Sequence, residues 1–298
     1  MFPRLLLISL IGLFSSVAKA DTFVYVSLDA EKRIAVYHLD PTTGKLTHRS
    51  DCPVAAGEPG GLAMDPMKRF LFAAVRSTNK LSSFRVDAKT GGLTPINTVS
   101  VGPNPAHLLT DHSGRFLLTA FYDDAKVTVH SIDEQGRLSE KPNQSLSTAD
   151  KAHAIVPDSS NRYVFVPHTG PNVIFQFLWD ARTGLLTANR PAKLNTPAGM
   201  GPRHLAWHPQ KPVAYIDNEQ GSSLTSYALD EKTGTLKSLH TASSIPTEFR
   251  QSNSTAEVKV HPTGRFAYVS NRGHDSIARF ALEDQGRLKI LGQTPTEK

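Results

Sequence analysis

The sequence predicts an all-β fold built from six similar units, and three observations carry that prediction. One phrase recurs six times along the 298 residues: a polar turn, an apolar strand, a short polar break, a second strand and an acidic turn ending in leucine. The strands are rich in Val, Phe, Tyr and Leu, whereas no segment keeps a helical spacing of apolar residues over three turns. A further short strand runs between successive phrases.

The spacing of the six units defines the architecture. Their closing leucines are Leu46, Leu93, Leu138, Leu186, Leu236 and Leu288, which stand 47, 45, 48, 50 and 52 residues apart. The strands between units include "HLLTDH", "HLAWHP" and "EVKVHP". About four short strands per repeat of this length indicate a β-propeller, whose four-stranded blades surround a central channel. A β-sandwich is the weaker alternative, because sandwiches do not repeat one phrase six times.

The acidic turn that closes each unit has a structural explanation. In the first unit Asp40 begins the turn, Gly44 supplies the left-handed conformation and Leu46 returns to the core. We therefore assign no chemical role to these turns.

The first twenty residues have the pattern of a secretory signal peptide. A basic Arg4 precedes an apolar stretch at 5–14, and small residues at Ala18 and Ala20 predict cleavage after Ala20. Ten apolar residues are too few to span a bilayer. The expected location is therefore the periplasm or the exterior, with residues 21–298 forming one propeller domain. Losing Arg4 and Lys19 and no acid lowers the net charge from +6 to +4.

Composition excludes several classes of function. The basic residues are scattered, so nucleic-acid binding is not expected, and no later stretch is apolar enough for a membrane helix. Cys52 is the only cysteine, which excludes an internal disulfide and a cysteine zinc site. His204 and His208 are four apart but lie on a predicted strand, which argues against a metal pair. We expect no cofactor, no metal, and a monomer that binds a small molecule.

Other catalytic signatures also fail. "GEPGG" at 57–61 is a turn cluster with no helix after it, so it is not a dinucleotide loop. The sequence holds no Gly-x-Ser-x-Gly elbow, which argues against a covalent serine mechanism.

Equivalent loops of a propeller meet on one face, so a site is sought by comparing one position in every unit. Polar residues before each innermost strand are His107, His153, Arg203, His204, Glu257 and Lys259, and those after the second strand are Tyr122, Asp123, His168, Asn218, Glu219, Asn271 and Arg272. The residues differ in kind between units, whereas a purely structural turn would repeat one residue. This pattern predicts a functional site at the strand ends.

Two segments carry a resemblance to a known family. "GPRHLAWHP" with "AYIDNEQGSSLTSY", and "AEVKVHPTGRFAYVSNRGHDSIARF", resemble the lactonase family of seven-bladed propellers, which includes propeller-type 6-phosphogluconolactonases and is similar to carboxymuconate-lactonising enzymes. The resemblance covers the chain after residue 20. It implies a catalytic set of His153, Arg203, Glu219 and Arg272.

Those residue types suit the opening of a lactone by water. His153, which we prefer, or Glu219 would accept the water proton. One arginine would hold a substrate carboxylate or phosphate and the other would face the carbonyl oxygen. Each also has a structural explanation: a turn cap for Arg203 or Arg272, charge pairing for Glu219, and a core position for His153. We assign structural roles to His107, Tyr122, Asn218, Lys259 and His274.

Departures from the family leave alternatives open. The chain has Lys151-Ala152-His153 where relatives often carry paired histidines, and His168 where they often have an acid, which leaves the choice of substrate open. Six phrases stand where the family has seven. We expect a C-terminal truncation rather than a six-bladed ring, because a missing blade would expose two sheet edges.

Three functions fit this sequence. The first is a lactone hydrolase, the second an isomerase of the muconate-lactonising type, and the third a non-enzymatic exported binding module. The expected export argues against a phosphorylated sugar lactone as the natural substrate. An unphosphorylated sugar lactone or an aromatic-derived lactone then fits equally well.

Overall fold

The computed structural model describes residues 21–296, and nearly all of its regular structure is β-strand. The predicted signal peptide at 1–20 lies outside the described residues.

Sheet 1 contains β1 (Thr22–Leu28), β2 (Arg33–Leu39) and β3 (Leu46–Pro53); sheet 2 contains β4 (Pro59–Met64), β5 (Phe70–Val75), β6 (Lys80–Val86) and β7 (Leu93–Ser100). Sheet 3 contains β8 (Pro105–Thr110), β9 (Phe116–Phe121), β10 (Lys126–Ser131) and β11 (Gln144–Ser147); sheet 4 contains β12 (Val156–Pro157), β13 (Tyr163–His168), β14 (Val173–Asp180) and β15 (Leu185–Asn195). Sheet 5 contains β16 (Pro202–Trp207), β17 (Val213–Asn218), β18 (Ser223–Asp230) and β19 (Thr235–Ser243); sheet 6 contains β20 (Ser254–Val260), β21 (Phe266–Arg272), β22 (Ser276–Leu282) and β23 (Leu288–Pro295).

The predicted β-propeller is confirmed, with six antiparallel sheets formed by consecutive stretches of chain. Sheets 2 to 6 have the four strands that the repeat predicts. Sheet 1 has three, because β1 occupies the place of a second strand and, within residues 21–296, no strand pairs with its other edge. Two short 3-10 turns, Arg76–Thr78 and Asp284–Gly286, are the helical elements of the described chain.

The hydrophobic core lies between sheets rather than inside any one of them. Five buried clusters each join two consecutive sheets; one of them packs Leu118 of sheet 3 against Val166 of sheet 4, and another packs Phe165 of sheet 4 against Ile216 of sheet 5. Burying one such side chain stabilises the fold by about 1.5–3 kcal/mol. Among residues 21–296, none of these clusters joins sheet 6 to sheet 1.

A repeated contact of an aromatic ring with a turn glycine fixes each of sheets 1 to 4 on the sheet that follows, whereas Gly286 of sheet 6 packs against Leu239 of sheet 5. The guanidinium carbon of Arg115 lies 5.7 Å from the centre of the Phe116 ring, and the turn glycine Gly184 of the following sheet packs against the same ring. Arg115 also donates a hydrogen bond to the Ala181 carbonyl of that turn. The other ring-on-glycine pairs are Phe23 with Gly91, Phe70 with Gly136, and Tyr163 with Gly234.

The repeated contact is interrupted at both ends of the array. Gly44 of sheet 1 has no neighbouring atom where a Cβ would lie, and Phe266 of sheet 6 is only half-buried although Arg265 stacks on it. The expectation that Leu46 returns to the core is wrong, since Leu46 is 48% exposed. The equivalent Leu138 and Leu186 are buried. No preceding sheet packs over the first turn in the described chain, which accounts for the difference.

The first strands of four sheets carry a β-bulge at the same place. The pairing shifts between Pro59 and Leu62 in β4, between Pro105 and His107 in β8, between Pro202 and Leu205 in β16, and between Thr255 and Val258 in β20. A bulge sets two residues opposite one, so consecutive side chains no longer alternate strictly between the two faces.

Side chains of the second strand satisfy the backbone groups that two of these bulges free. The N–H of His204 donates to Oδ1 of Asp217 at 2.8 Å, and the N–H of Glu257 donates to Oγ of Ser270 at 3.0 Å. The bulges are thereby fixed in register.

The ring-on-glycine contact gives a first prediction. Gly184 and Gly44 have the same left-handed backbone, with φ of +73° and +72°, but a Cβ on Gly184 would lie 2.3 Å from the Phe116 ring. Both Gly→Ala changes strain the backbone by about 1–2 kcal/mol. Gly184→Ala should lose about 1–3 kcal/mol more, as overpacking does. Urea unfolding of both variants measures the difference, and equal losses would contradict the contact.

Buried histidines give a second prediction. His130 is 1% exposed and burial lowers its pKa to about 4. Below pH 6.5 the unfolded chain therefore binds a proton that the folded chain does not, so the free energy of unfolding falls as the pH falls toward 4. Between pH 6.5 and pH 5 the free energy of unfolding should fall by about 2 kcal/mol, at about 1.4 kcal/mol per pH unit.

A leucine at position 130 removes that titration. The urea midpoint of His130→Leu should decline less between pH 7 and pH 5 than that of the wild-type chain. His112→Gln alters an exposed histidine and should keep the wild-type decline. Parallel declines in all three chains would rule out the buried imidazole as the cause.

Candidate functional site

The four residues predicted as a site come from three consecutive sheets. His153 precedes β12, Arg203 lies in the β16 bulge, Glu219 follows β17, and Arg272 ends β21. Nη2 of Arg272 donates to Oε1 of Glu219 at 2.6 Å, and Nε of Arg203 lies 3.8 Å from the same oxygen. One carboxylate oxygen therefore contacts both guanidinium groups, which are 69 residues apart in the sequence.

His153 joins this group through another histidine. Its ring centre lies 5.0 Å from that of His204 and 5.5 Å from that of Tyr122, in both cases edge to face. Nη1 of Arg203 lies 3.2 Å from Nδ1 of His204. Among residues 21–296, no hydrogen bond links His153 directly to either arginine or to Glu219.

The two arginines have different surroundings. The Arg203 side chain is 12% exposed, its Nε is buried without a hydrogen-bond partner, and burial lowers its pKa against the opposing effect of Asp217 and Glu219. The Arg272 side chain is 51% exposed. Since buried N–H groups are nearly always bonded, Arg203 offers an unused donor inside the site, while Arg272 offers its charge at the opening.

The electrostatic state of His153 follows from its burial. Desolvation, followed by the positive charge of Arg203, lowers the pKa of His153 to about 2. Its Nδ1 is buried without a partner, and its backbone N–H donates to the Pro167 carbonyl. The ring is therefore neutral near pH 7.

The structure adds residues that the sequence prediction did not include in the site. Oε2 of Glu257 lies 3.1 Å from Nδ1 of His204, and Lys259 pairs with Oε1 of the same carboxylate at 3.3 Å. Burial alone would raise the pKa of Glu257, but the hydrogen bond to His204 and the nearby positive charge of Lys259 lower it to about 2. Glu257 is thus an anion near pH 7. Asp217 is fully buried, and burial raises the pKa of its carboxyl group.

A positional signal for these residues exists in the sequence. His107, His204 and Glu257 hold the same place in β8, β16 and β20, one residue after the position that Arg203 holds in β16. The rings of His107 and His204 lie 5.5 Å apart. A regular strand would direct Arg203 and His204 to opposite faces, so the bulge is what brings both into one cluster.

Residues 21–296 contain neither a metal-binding cluster nor a membrane-spanning helix. No three His, Cys, Asp or Glu side chains within residues 21–296 are arranged to hold a metal ion. In the same part of the chain, no helix has the length and apolar character needed to cross a membrane.

Comparison with solved structures agrees with the observed fold. A periplasmic gluconolactonase of Pseudomonas aeruginosa superposes with a TM-score of 0.84 at 24% identity, covering 93% of this chain and 83% of that one. A protein from Lactobacillus plantarum gives a TM-score of 0.83 at 24% identity, with the same coverage.

Comparison of sequences gives the family. A 6-phosphogluconolactonase of Pectobacterium carotovorum is 35% identical over 275 residues, which are 92% of this chain and 81% of that protein. A 6-phosphogluconolactonase of Cronobacter sakazakii is 30% identical over 280 residues, with the same shares. Residues 31–298 match the family described as "Lactonase, 7-bladed beta-propeller". The chain therefore belongs to the lactonase family of seven-bladed β-propellers.

Proposed function

We propose that this protein is a carboxylic-ester hydrolase that opens a small anionic sugar lactone. The observation that carries the proposal is the pair of arginines, one deep and one at the opening, held together by Glu219. The naming of relatives at 30–35% identity as 6-phosphogluconolactonases supports the same reaction class.

The deep arginine suits stabilisation of the transition state. Water attack on a lactone carbonyl puts negative charge on its oxygen, and a donor in a dry site stabilises that charge more than water does. Arg203 has an unused Nε–H and a largely buried guanidinium group. We assign it to the carbonyl oxygen.

The exposed arginine suits recognition of a charged substituent. Arg272 can hold a carboxylate or phosphate through two parallel hydrogen bonds, which a lysine cannot do. Glu219 limits the rotation of this side chain through the 2.6 Å hydrogen bond. We therefore assign Glu219 to the orientation of both arginines.

His153 is assigned to the same site as a neutral imidazole. The lowered pKa leaves it uncharged but also makes it a weak proton acceptor. Its ring can donate one hydrogen bond to the substrate. Oε1 of Glu219 is already engaged by the two arginines, so we assign Glu219 to their orientation rather than to the water.

The assay is proton release from glucono-lactone and 6-phosphoglucono-lactone, measured by base titration above the spontaneous rate. Arg203→Ala should lower kcat about 100- to 1000-fold, as removal of an oxyanion donor does. On 6-phosphoglucono-lactone, Arg272→Ala should mainly raise KM, by about 10- to 100-fold, because a hydrogen bond to a charged group contributes about 1.5–3 kcal/mol. Glucono-lactone carries no anionic group, so its KM should change less. Wild-type rates in both variants would reject the site.

A matched control is available in the same sheet. Arg279 is an exposed arginine of β22, seven residues beyond Arg272. Arg279→Ala removes the same charge without touching the site and should keep kcat and KM within about twofold.

Product analysis on carboxymuconate tests the isomerase alternative.

We also propose that the protein is exported, which favours an unphosphorylated lactone. The sequence pattern at 1–20 supports this. Full-length chain made in a Gram-negative host should be recovered from the periplasm with Asp21 at its N-terminus. Recovery from the cytoplasm with residues 1–20 retained would contradict export and restore the phosphorylated lactone as the favoured substrate.

A further inference from the structure

We infer that His204 accepts the proton of the attacking water and that Glu257 orients its ring. This inference rests on the proposed lactone hydrolysis and concerns one step of it. Neither residue was assigned a catalytic role from the sequence.

The hydrogen bond at Nδ1 determines which ring nitrogen is basic. Oε2 of Glu257 and Nη1 of Arg203 approach Nδ1 of His204 at 3.1 Å and 3.2 Å. A carboxylate can only accept and a guanidinium can only donate, so Glu257 and Arg203 compete for this atom and one tautomer serves each. We take the tautomer in which the Nδ1 hydrogen is bonded to Glu257. Nε2 then bears the lone pair, as it does where a carboxylate orients a catalytic histidine.

No protein group competes for that lone pair. Within residues 21–296, Nε2 of His204 forms no hydrogen bond. The ring stands between those of His107 and His153, at 5.5 Å and 5.0 Å. Its backbone N–H donates the 2.8 Å hydrogen bond to Asp217, which fixes the point of the bulge from which the ring enters the cluster.

The charges around the ring balance differently from those around His153. Groups facing His204 are the carboxylates of Glu257 and Asp217, the guanidinium of Arg203, the ammonium of Lys259 behind Glu257, and the neutral rings of His107 and His153. The His204 ring therefore has a carboxylate, that of Glu257, beside its Nδ1. Among residues 21–296 no carboxylate is hydrogen-bonded to His153, and Arg203 opposes the protonation of His153.

The proton and electron pairs are accounted for in each step. The water oxygen forms a bond to the carbonyl carbon while its O–H bond breaks and the proton moves to Nε2. The carbonyl π pair moves to the oxygen facing Arg203. When that pair returns, the ring C–O bond breaks, and the leaving alkoxide takes the proton back from Nε2. The product is the open-chain hydroxy acid, and no further reactant is needed.

The experiment compares kcat, KM and the pH profile of four chains on glucono-lactone. His204→Gln should lower kcat about 100-fold or more, the range of general-base catalysis, with KM within about threefold. Glu257→Gln should lower kcat about tenfold or more. The acid limb of the pH profile of kcat for Glu257→Gln should move to lower pH, because the His204 ring has lost its carboxylate partner. A purely structural role would lower kcat at every pH without moving the limb.

His107→Gln is the matched control. It changes a neighbouring histidine at the equivalent position of β8, which contacts no carboxylate, and should keep kcat within about threefold. Equal losses in the His107 and His204 variants would overturn the assignment, as would a wild-type rate in His204→Gln.

Added imidazole distinguishes a missing base from a damaged site. It should restore part of the rate of His204→Ala and none of the rate of Arg203→Ala. Failure of rescue, together with an unshifted limb in Glu257→Gln, overturns the inference while lactone hydrolysis stands. An inactive wild-type chain with both lactones overturns the proposed function itself.

Discussion

The β-bulge in the first strand of sheet 5, which sheets 2, 3 and 6 share, is the constraint on which the site depends. Without it Arg203 and His204 would point to opposite faces of β16. Asp217 holds this bulge by accepting the freed N–H of His204, and leaving such a buried N–H unpaired would cost about 1–3 kcal/mol. The same buried side chain also favours the positively charged form of Arg203, since its proximity raises the pKa of Arg203. Asp217 therefore both holds the backbone of the bulge and favours the charge of the neighbouring arginine.

Burial sorts the charged groups of the site into different roles. Arg203, His153 and Asp217 lie deep, where desolvation dominates their proton affinities. Arg272 lies at the opening, where water screens its charge and leaves it free to meet an anion. Glu219 connects the two regions because one oxygen contacts both arginines. All of these residues belong to sheets 4, 5 and 6.

The sheets could be predicted from the sequence because each phrase contains its own strand and turn signals. The residue pattern also predicted His153, Arg203, Glu219 and Arg272 as a site, although for these the family resemblance supplied the selection. The sequence places His204 and Glu257 at the recurring polar position but does not select them, because strand alternation assigns faces by counting and a bulge breaks the count. The exposure of Leu46 escaped prediction for a related reason, since burial in a propeller depends on the neighbouring sheet.

The ring-on-glycine contact has a direction: sheets 1 to 4 each offer an aromatic ring to the sheet after them, and the glycine comes from the later sheet. Phe266 and Gly44 are therefore unlike ends of one polar series. Two copies meeting symmetrically would present ring to ring or glycine to glycine, so a two-fold dimer through these faces gains no such contact. A partner for Phe266 must bring a glycine turn, and a partner for Gly44 must bring an aromatic ring.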